Sequence, residues 1–289
     1  MPGTADKFTQ SAHGRLLWAG HDGNLECESR LMDSLDPAGP PVTVTPARHM
    51  PRIWKFWGTA LWGLFIFAAL FVGQIAVVAW FMLRREGPFD IAAAIHVLGG
   101  GVTISLSVIT GLPAAVGAIW VATRRSRTPF ADYLALRWTS WSNLALGAGA
   151  LFVLVVGWDL LSRALGREIA PGFMTDVLKS AQADGALWLL VLAFCVAAPI
   201  SEEFFARGFL YRGWSESFLR VPGAILLSSL VWTALHLQYD WFFFGEVFSI
   251  GLLLGWLRYR SNSTWLTVVV HGLNNFAATL QSMWLAGHG

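Results

Sequence analysis

Residues 185–203 read GALWLLVLAFCVAAPISEE: an uncharged apolar run ends at Pro199, and two carboxylates follow at Glu202 and Glu203. About 20 apolar residues are enough to cross a bilayer, so this run predicts a membrane helix. An ionised side chain near the bilayer centre costs roughly 2.5 to 3.5 kcal/mol and usually faces a protein interior or a water-filled cavity. Because Arg207 follows on the same helix, we expect a functional site there.

Composition extends the prediction of a membrane protein to the whole chain. Of its 289 residues, 55% are hydrophobic and 13% charged, which is too apolar for a soluble globule. The 16 Trp and 29 Gly fit a membrane setting, since indoles favour the interface and small residues let helices approach closely. Cys27 and Cys195 stand in unlike settings and predict no disulfide framework. We expect an all-α, polytopic integral membrane protein that contacts the lipid bilayer and no nucleic acid.

Hydropathy divides the chain into three parts. Residues 1–50 are polar and Pro-rich at their end, and they lack an apolar core of signal-peptide length, which predicts a mobile N-terminal tail. Residues 51–184 hold the N-terminal transmembrane helices, and residues 185–289 form a second helical part that carries the ionisable groups. We expect about seven transmembrane helices. They are predicted at Phe56–Leu83, Val97–Thr123, Asn143–Leu161, Gly185–Tyr211, Gly223–Leu237, Trp241–Leu257 and Thr264–Ala286.

The basic loops predict the orientation in the membrane. Alternate loops hold more Arg and Lys, and this excess places the N-terminus in the cytoplasm and the protein in the cell (inner) membrane. Counted from the cytoplasmic helix ends, Glu202, His236 and His271 then lie roughly 15, 21 and 17 Å deep at about 1.5 Å per residue. Their comparable depth indicates one cavity fed by three helices, and we expect this cavity to open toward the cytoplasmic half.

Helical spacing groups the polar residues by chemistry. Glu203 and Arg207 are four apart and share a helix face, so they suit a neutralising, supporting pair. A carboxylate beside a second carboxylate in a low dielectric has its charged form disfavoured, so one member of the Glu202–Glu203 pair is expected to be a usable general base. His271 and Asn275 are also four apart and project an imidazole and an amide together, as oxyanion stabilisation requires.

Three motifs carry a resemblance to a known family. They lie in order within residues 185–280: EExxxR (Glu202, Glu203, Arg207), a stretch that ends at His236, and HxxxN (His271, Asn275). Together they resemble the CPBP intramembrane proteases, the group that includes the type II CAAX prenyl endopeptidases. The resemblance implies a membrane endopeptidase whose catalytic core is residues 185–289.

The resemblance also implies a role for each motif residue. The implied roles are Glu202 as the base that activates water, His236 as its assistant, His271 and Asn275 as oxyanion stabilisers, and Glu203 and Arg207 as supports. The implied substrate is a membrane-associated protein or peptide, with a prenylated CAAX-type C-terminus as one candidate. Family members are also linked to bacteriocin immunity, so a non-catalytic binding protein of the same fold is the alternative. A proton-coupled transporter ranks last, because the sequence contains no inverted repeat.

One departure from the family and one cofactor question affect the predicted site. The family has Phe four residues before the histidine of its second motif, whereas this chain has Trp232, which keeps an aromatic wall and changes its bulk. Zinc is the alternative to a metal-free site, with Glu202, His236 and His271 as nitrogen and oxygen ligands. The chain has no HExxH, and Arg207 would compete with a cation, so we favour a glutamic mechanism without a metal.

Other intramembrane polar residues have no motif around them. We expect interhelical hydrogen bonding, and no catalytic role, for Gln74, His96, Asp159 and Glu246. Asn274 is rotated about 100° from Asn275 around the helix and is expected to point elsewhere. Gly251 and Gly255 are typical of a close packing face between helices.

Overall fold

A computed structural model describes residues 53–84 and 91–288, and these ranges are all-helical, as predicted. The predicted tail, residues 1–50, lies outside the described residues. The helices of the described ranges are α1 Phe56–Arg84, α2 Ile91–Gly99, α3 Gly101–Arg125, α4 Phe130–Leu134, α5 Trp141–Ala164, α6 Gly172–Ala183, α7 Leu187–Ser215, α8 Arg220–Thr233, α9 Trp241–Ser261 and α10 Thr264–His288.

Five of the described helices are long and apolar enough to cross a membrane, namely α1, α3, α5, α7 and α9. Each of the seven predicted segments is helical, but α8 has only 14 residues, and α10 carries His271, Asn274 and Asn275, which lower its hydropathy. Both helices pack against the spans: α8 against α7 and α9, and α10 against α5, α7 and α9. The protein is therefore a multi-pass helical bundle in which the most polar segments are packed among apolar ones.

The outer surface of the bundle is suited to lipid. On α1, Leu61, Leu64 and Ile75 are each 68% exposed, and on α5 Phe152 and Val153 are exposed to a similar extent. Apolar patches of this size are rare on soluble monomers. Exposed tryptophans lie near both ends of the helices: Trp57, Trp120 and Trp141 at one end, and Trp80, Trp188, Trp241 and Trp284 at the other. Indole rings at two levels are typical of the two membrane interfaces.

The two ends of the bundle differ in charge. The end formed by the start of α1, the end of α3, the start of α5 and the loops after α7 and α9 is called the arginine end. Its described basic residues are Lys55, Arg124, Arg125, Arg127, Arg137, Arg212, Arg220, Arg258 and Arg260. The opposite end has Arg84, Arg163, Arg167 and Lys179. The placement of the arginine end in the cytoplasm stays a prediction.

Two glycines let helices approach closely around the polar residues. A Cβ atom at Gly251 of α9 would lie 3.1 Å from both Ser229 Cβ and Trp232 Cε3 of α8. A Cβ atom at Gly272 of α10 would lie 2.8 Å from the carbonyl oxygen of Cys195 of α7. Because neither position has a side chain, α9 and α10 bring their polar groups within reach of α7 and α8.

Candidate active site

Helix α7 changes its geometry on both sides of the paired glutamates. It is α-helical at Ala198–Glu203 and becomes a π-helix at Ala193–Ala197 and at Phe204–Leu210. Short π segments inside α-helices are frequent at functional sites. The wider turns change the direction in which the side chains of this helix point, and no periodicity rule for a regular helix predicts them.

Pro199 leaves one carbonyl group of α7 without a helical partner. The backbone N–H of Ala198 donates to the carbonyl oxygen of Ala193, five residues earlier. In the same register, the donor to Phe194 would be residue 199, but proline has no N–H. The side chain of Asn275 fills this place, since its Nδ2 donates to the carbonyl oxygen of Phe194 at 2.8 Å. The proline thus provides the anchor that ties α10 to α7.

Glu203 is the centre of a fully buried polar network. Arg207 Nη1 donates to Glu203 Oε1 at 2.9 Å, and neither side chain is exposed. The Nδ1 of His271 lies 3.0 Å from the same oxygen, and because a carboxylate only accepts, Nδ1 carries the hydrogen. Arg207 Nη2 donates to the carbonyl oxygen of Gly251 at 2.9 Å. The network therefore links α7, α9 and α10.

Glu202 points away from this network, into a cavity. Its side chain is 20% exposed, and its Oε2 accepts a hydrogen bond from the indole Nε1 of Trp232 at 2.6 Å. The Nε2 of His271 lies 4.0 Å from Oε2, which is too long for a direct hydrogen bond. The imidazole of His271 thus stands between the two glutamates, with one nitrogen toward each.

His236 ends the α8 segment at the cavity wall, in a single 3-10 turn. Its Nδ1 lies 3.2 Å from the carbonyl oxygen of Trp232, so Nδ1 is the donor and Nε2 keeps a lone pair. The rings of His236 and Trp232 meet edge to face at 5.0 Å.

The loop after His236 is held by Asp240, which caps α9 by accepting from the backbone N–H groups of Phe242 and Phe243. The bond from Phe243 is the main cause that lowers the pKa of Asp240 below its ordinary value.

Asn275 lies one turn after His271 and also faces the cavity. One Nδ2 hydrogen is engaged with Phe194, and Oδ1 accepts from Asn274 Nδ2 at 3.3 Å. The second Nδ2 hydrogen remains as a donor. Asn274 lines the cavity too, so the expectation that it points elsewhere is wrong. The side chains of neighbouring residues can both reach a cavity that wraps around part of the helix.

The cavity has a volume of about 520 Å³ and joins polar and apolar surfaces. The predicted residues Glu202, His236, His271 and Asn275 line it, together with Trp232. Its apolar lining includes Leu70, Phe71, Leu98, Ile104, Val108, Phe194, Met174, Phe243, Val247 and Ile250. Among these, Phe71 and Leu98 are each 39% exposed. The cavity therefore presents an exposed apolar wall next to its polar residues.

The cavity lies in the half of the bundle away from the arginine end. Lining residues from 169–174 and 235–239 belong to the opposite end. If the arginine end is cytoplasmic, the cavity lies in the other half of the membrane. The prediction of an opening toward the cytoplasmic half therefore disagrees with the predicted orientation. Depth estimated from residue counts missed this because α8 is short and its last turn ends at the far side of the cavity.

The intramembrane polar residues without a motif differ in their surroundings: one makes an interhelical hydrogen bond, and two line the cavity. Asp159 accepts from Gln281 Nε2 at 2.8 Å and links α5 to α10, as an interhelical hydrogen bond does. Gln74 and Glu246 line the cavity, a position that the sequence analysis did not predict for them. The side chain of His96 lies outside the described residues. The available signal for Glu246 was an acid within a membrane span without a basic residue one turn away.

The fit of a metal ion was tested against the donor groups. Among the described residues, no group of three or more His, Cys, Asp and Glu side chains is arranged to hold a metal ion. In the zinc alternative, Glu202 Oε2 already accepts from Trp232 and His271 Nδ1 donates to Glu203, so only Glu202 Oε1 and the Nε2 atoms of His236 and His271 would be left as ligands. The described donor groups are not arranged as a zinc centre.

Residues 184–277 match the model of a protease family. The family model described as "Type II CAAX prenyl endopeptidase Rce1-like" matches residues 184–277. This segment contains the three sequence motifs, the helices α7, α8 and α9 and the first part of α10, while α1, α2 and α3 contribute further lining to the cavity. Residues 184–277 are thus a domain of the Rce1-like type II CAAX prenyl endopeptidase family, and the resemblance stated from the motifs is confirmed.

Two curated proteins are similar over part of their length. An uncharacterized 24.3 kDa protein of Escherichia coli is 32% identical over 126 residues, which cover 43% of this chain and 57% of that protein. The UPF0177 protein YbdI of Lactococcus lactis subsp. lactis (strain IL1403) is 33% identical over 86 residues, 29% of this chain and 44% of that protein. The chain spans about half the length of the curated relatives that it matches. No solved structure matches the chain.

Proposed function

We propose that the protein is an intramembrane endopeptidase that hydrolyses a peptide bond of a membrane-associated substrate with glutamate-activated water. The observation that carries the proposal is the placement of Glu202 on the wall of a largely apolar cavity, beside a second glutamate that is fully buried and paired. A carboxylate without an arginine or lysine partner is costly inside a membrane bundle, and such residues usually mark a functional site. The Rce1-like family match supports peptide hydrolysis as that function.

In the proposed reaction, Glu202 accepts a proton from water while the water oxygen bonds to the scissile carbonyl carbon. His236 assists with its Nε2 lone pair, which can accept a hydrogen bond from the same water. The carbonyl oxygen becomes an oxyanion. The C–N bond then breaks, and the protonated Glu202 returns its proton to the leaving nitrogen.

The oxyanion is stabilised by donors from α10. The free Nδ2 hydrogen of Asn275 is one donor, and the bond to Phe194 holds its amide in place. His271 is the second donor when Nε2 carries a hydrogen, and since Nδ1–H is already engaged with Glu203, the acting form is the imidazolium. Glu203 and Arg207 support this histidine from the buried side.

The substrate class follows from the cavity walls. An apolar lining with exposed Phe71 and Leu98 suits a chain that enters from the lipid phase. A prenylated CAAX-type C-terminus is the first candidate, and the end of a membrane-anchored peptide is the second. The alternative function is a non-catalytic membrane binding protein, such as one for bacteriocin immunity, in which this cavity holds a partner without cleavage.

The first experiment compares the termini of membrane proteins in cells that express wild type or the Glu202→Gln variant at equal levels. The substrate does not have to be identified beforehand. Glu216→Gln is the matched control, because Glu216 is an exposed acid at the arginine end, paired with Arg212. New termini with wild type and Glu216→Gln, and none with Glu202→Gln, support proteolysis and identify the cleavage site. Identical termini in all three strains would refute it in favour of the binding protein.

A further inference from the structure

Trp232 makes a contact that a phenylalanine at its position could not make. Its indole Nε1 donates to Oε2 of Glu202 at 2.6 Å, whereas a phenyl ring has no donor. The residue is only 2% exposed. A hydrogen bond to a carboxylate is among the stronger hydrogen bonds in proteins, and it is stronger still away from water.

The indole ring is held on several sides, so its N–H group has one direction. The guanidinium carbon of Arg207 lies 4.5 Å from the ring centroid of Trp232. The rings of His271 and His236 meet it edge to face at 5.2 and 5.0 Å. On the α9 side, the backbone at Gly251 packs closely against the indole, since a Cβ there would lie 3.1 Å from Cε3 of the ring. The donor is thus fixed by packing before any substrate enters.

The fixed donor distinguishes the two oxygens of Glu202. Oε2 is held by Trp232 on the side where His271 Nε2 lies at 4.0 Å. No hydrogen bond to Oε1 is found among the described residues, and the carboxylate is partly exposed to the cavity. Rotation of the carboxylate would break the bond to the indole.

We infer that Trp232 is a positioning residue that locks the Glu202 carboxylate through Oε2 and thereby presents Oε1 as the oxygen that takes the proton from water. This inference rests on the proposed function, and it deepens that function by naming the reacting atom. Preorganised catalytic groups owe their efficiency to such locking. A bulk-filling role alone would leave the two oxygens equivalent.

The test uses Trp232→Phe, which keeps an aromatic ring and removes the donor. With a fluorogenic peptide that spans the cleavage site found by the comparison of termini, kcat should fall about tenfold to a hundredfold, and KM should change less than about twofold. Trp158→Phe is the matched control: its indole Nε1 donates to Ser249 Oγ at 2.8 Å, away from the motif residues. Equal kcat values for Trp232→Phe and wild type would overturn the inference.

A second measurement detects the hydrogen bond without catalysis. In protein labelled with ¹⁵N at the indoles, the Trp232 N–H signal is assigned by its loss in Trp232→Phe, and Glu202→Ala should shift it while Trp158 stays unchanged. An unshifted signal would overturn the inference even if the peptidase is active. A shifted signal in a protein that cleaves no substrate would instead refute the proposed function and leave only the contact.

In an active enzyme, Trp232→Phe in the Glu202→Gln background should cause no further loss of activity, because the donor acts through Glu202. An additional loss would show that the indole acts elsewhere.

Discussion

Glu202 and Glu203 are neighbours in the sequence and lie in opposite surroundings. Glu203 has no exposed side-chain surface and meets Arg207 and His271 through one oxygen. Glu202 is 20% exposed to the cavity and is held by the neutral donor Trp232. Because adjacent residues differ by about 100° around a helix, one turn of α7 faces a sealed network and a reactive cavity at once.

In the proposed function, Glu203 supports the structure of the site and Glu202 carries its chemistry. A buried carboxylate that is paired with an arginine cannot exchange its partner for water without a large loss. A carboxylate at a cavity wall can exchange protons with water, because the cavity has room for water beside it. His271 connects the two sides, with Nδ1 toward Glu203 and Nε2 toward Glu202.

The largest expected effect is on the cavity side. Glu202→Gln keeps the shape and an oxygen that accepts from Trp232, but it removes the base, so cleavage should fall by a factor of about 10² to 10⁴. The midpoint of thermal unfolding in detergent should stay near the wild-type value. The rate is measured with the peptide described above. Cleavage at the wild-type rate would show that Glu202 is not the base and would end the distinction between the two glutamates.

The next effect belongs to the buried side. Arg207→Ala leaves Glu203 buried without its cation, and the free energy of unfolding should fall by roughly 3 to 5 kcal/mol. Arg212→Ala is the matched control, because Arg212 and Glu216 form a pair with the same spacing, with side chains 36% and 50% exposed. An exposed pair contributes about 0 to 1 kcal/mol. Equal unfolding curves for the two variants would contradict the supporting role of Arg207.

A smaller effect is expected where the two sides meet on α10. Asn275→Ala removes an oxyanion donor and should lower kcat by a factor of about 10² to 10³. It also leaves the Phe194 carbonyl without its donor, which should reduce stability by about 1 to 3 kcal/mol. Asn274→Ala, which alters the same cavity wall, should lose much less activity. A larger loss for Asn274 than for Asn275 would reverse their proposed roles.

The smallest effect is expected from metal removal. Exhaustive treatment with a chelator should leave the cleavage rate within about twofold of the untreated enzyme, because the described His, Cys, Asp and Glu side chains form no group of three or more that could hold a metal ion. The measurement is the rate before and after chelation, followed by added zinc. Loss of activity that zinc restores would replace the glutamic mechanism with a metal-dependent one.

Sequence reasoning was most successful where the physical rule is local. The apolar segments predicted helices because hydropathy and length are properties of single segments. The motif residues were grouped because positions four apart share a helix face. A cavity in the cytoplasmic half and a cytoplasmic arginine end were two predictions that the structure does not allow together, because counting residues from helix ends assumes straight helices of full length. Neither the short α8 nor the π segments of α7 satisfy that assumption.

The sequence by itself determined a helical membrane protein with an acid pair, an arginine, two histidines and an asparagine set into its last segments. The spacing of four residues also paired Glu203 with Arg207. Only the tertiary structure decided which of the two glutamates faces the cavity, because the rotation of α7 about its own axis depends on packing against α8, α9 and α10. The same packing brought the indole of Trp232 to Glu202 and the amide of Asn275 to Phe194. These contacts join residues 30 and 81 positions apart, a separation at which local periodicity carries no information.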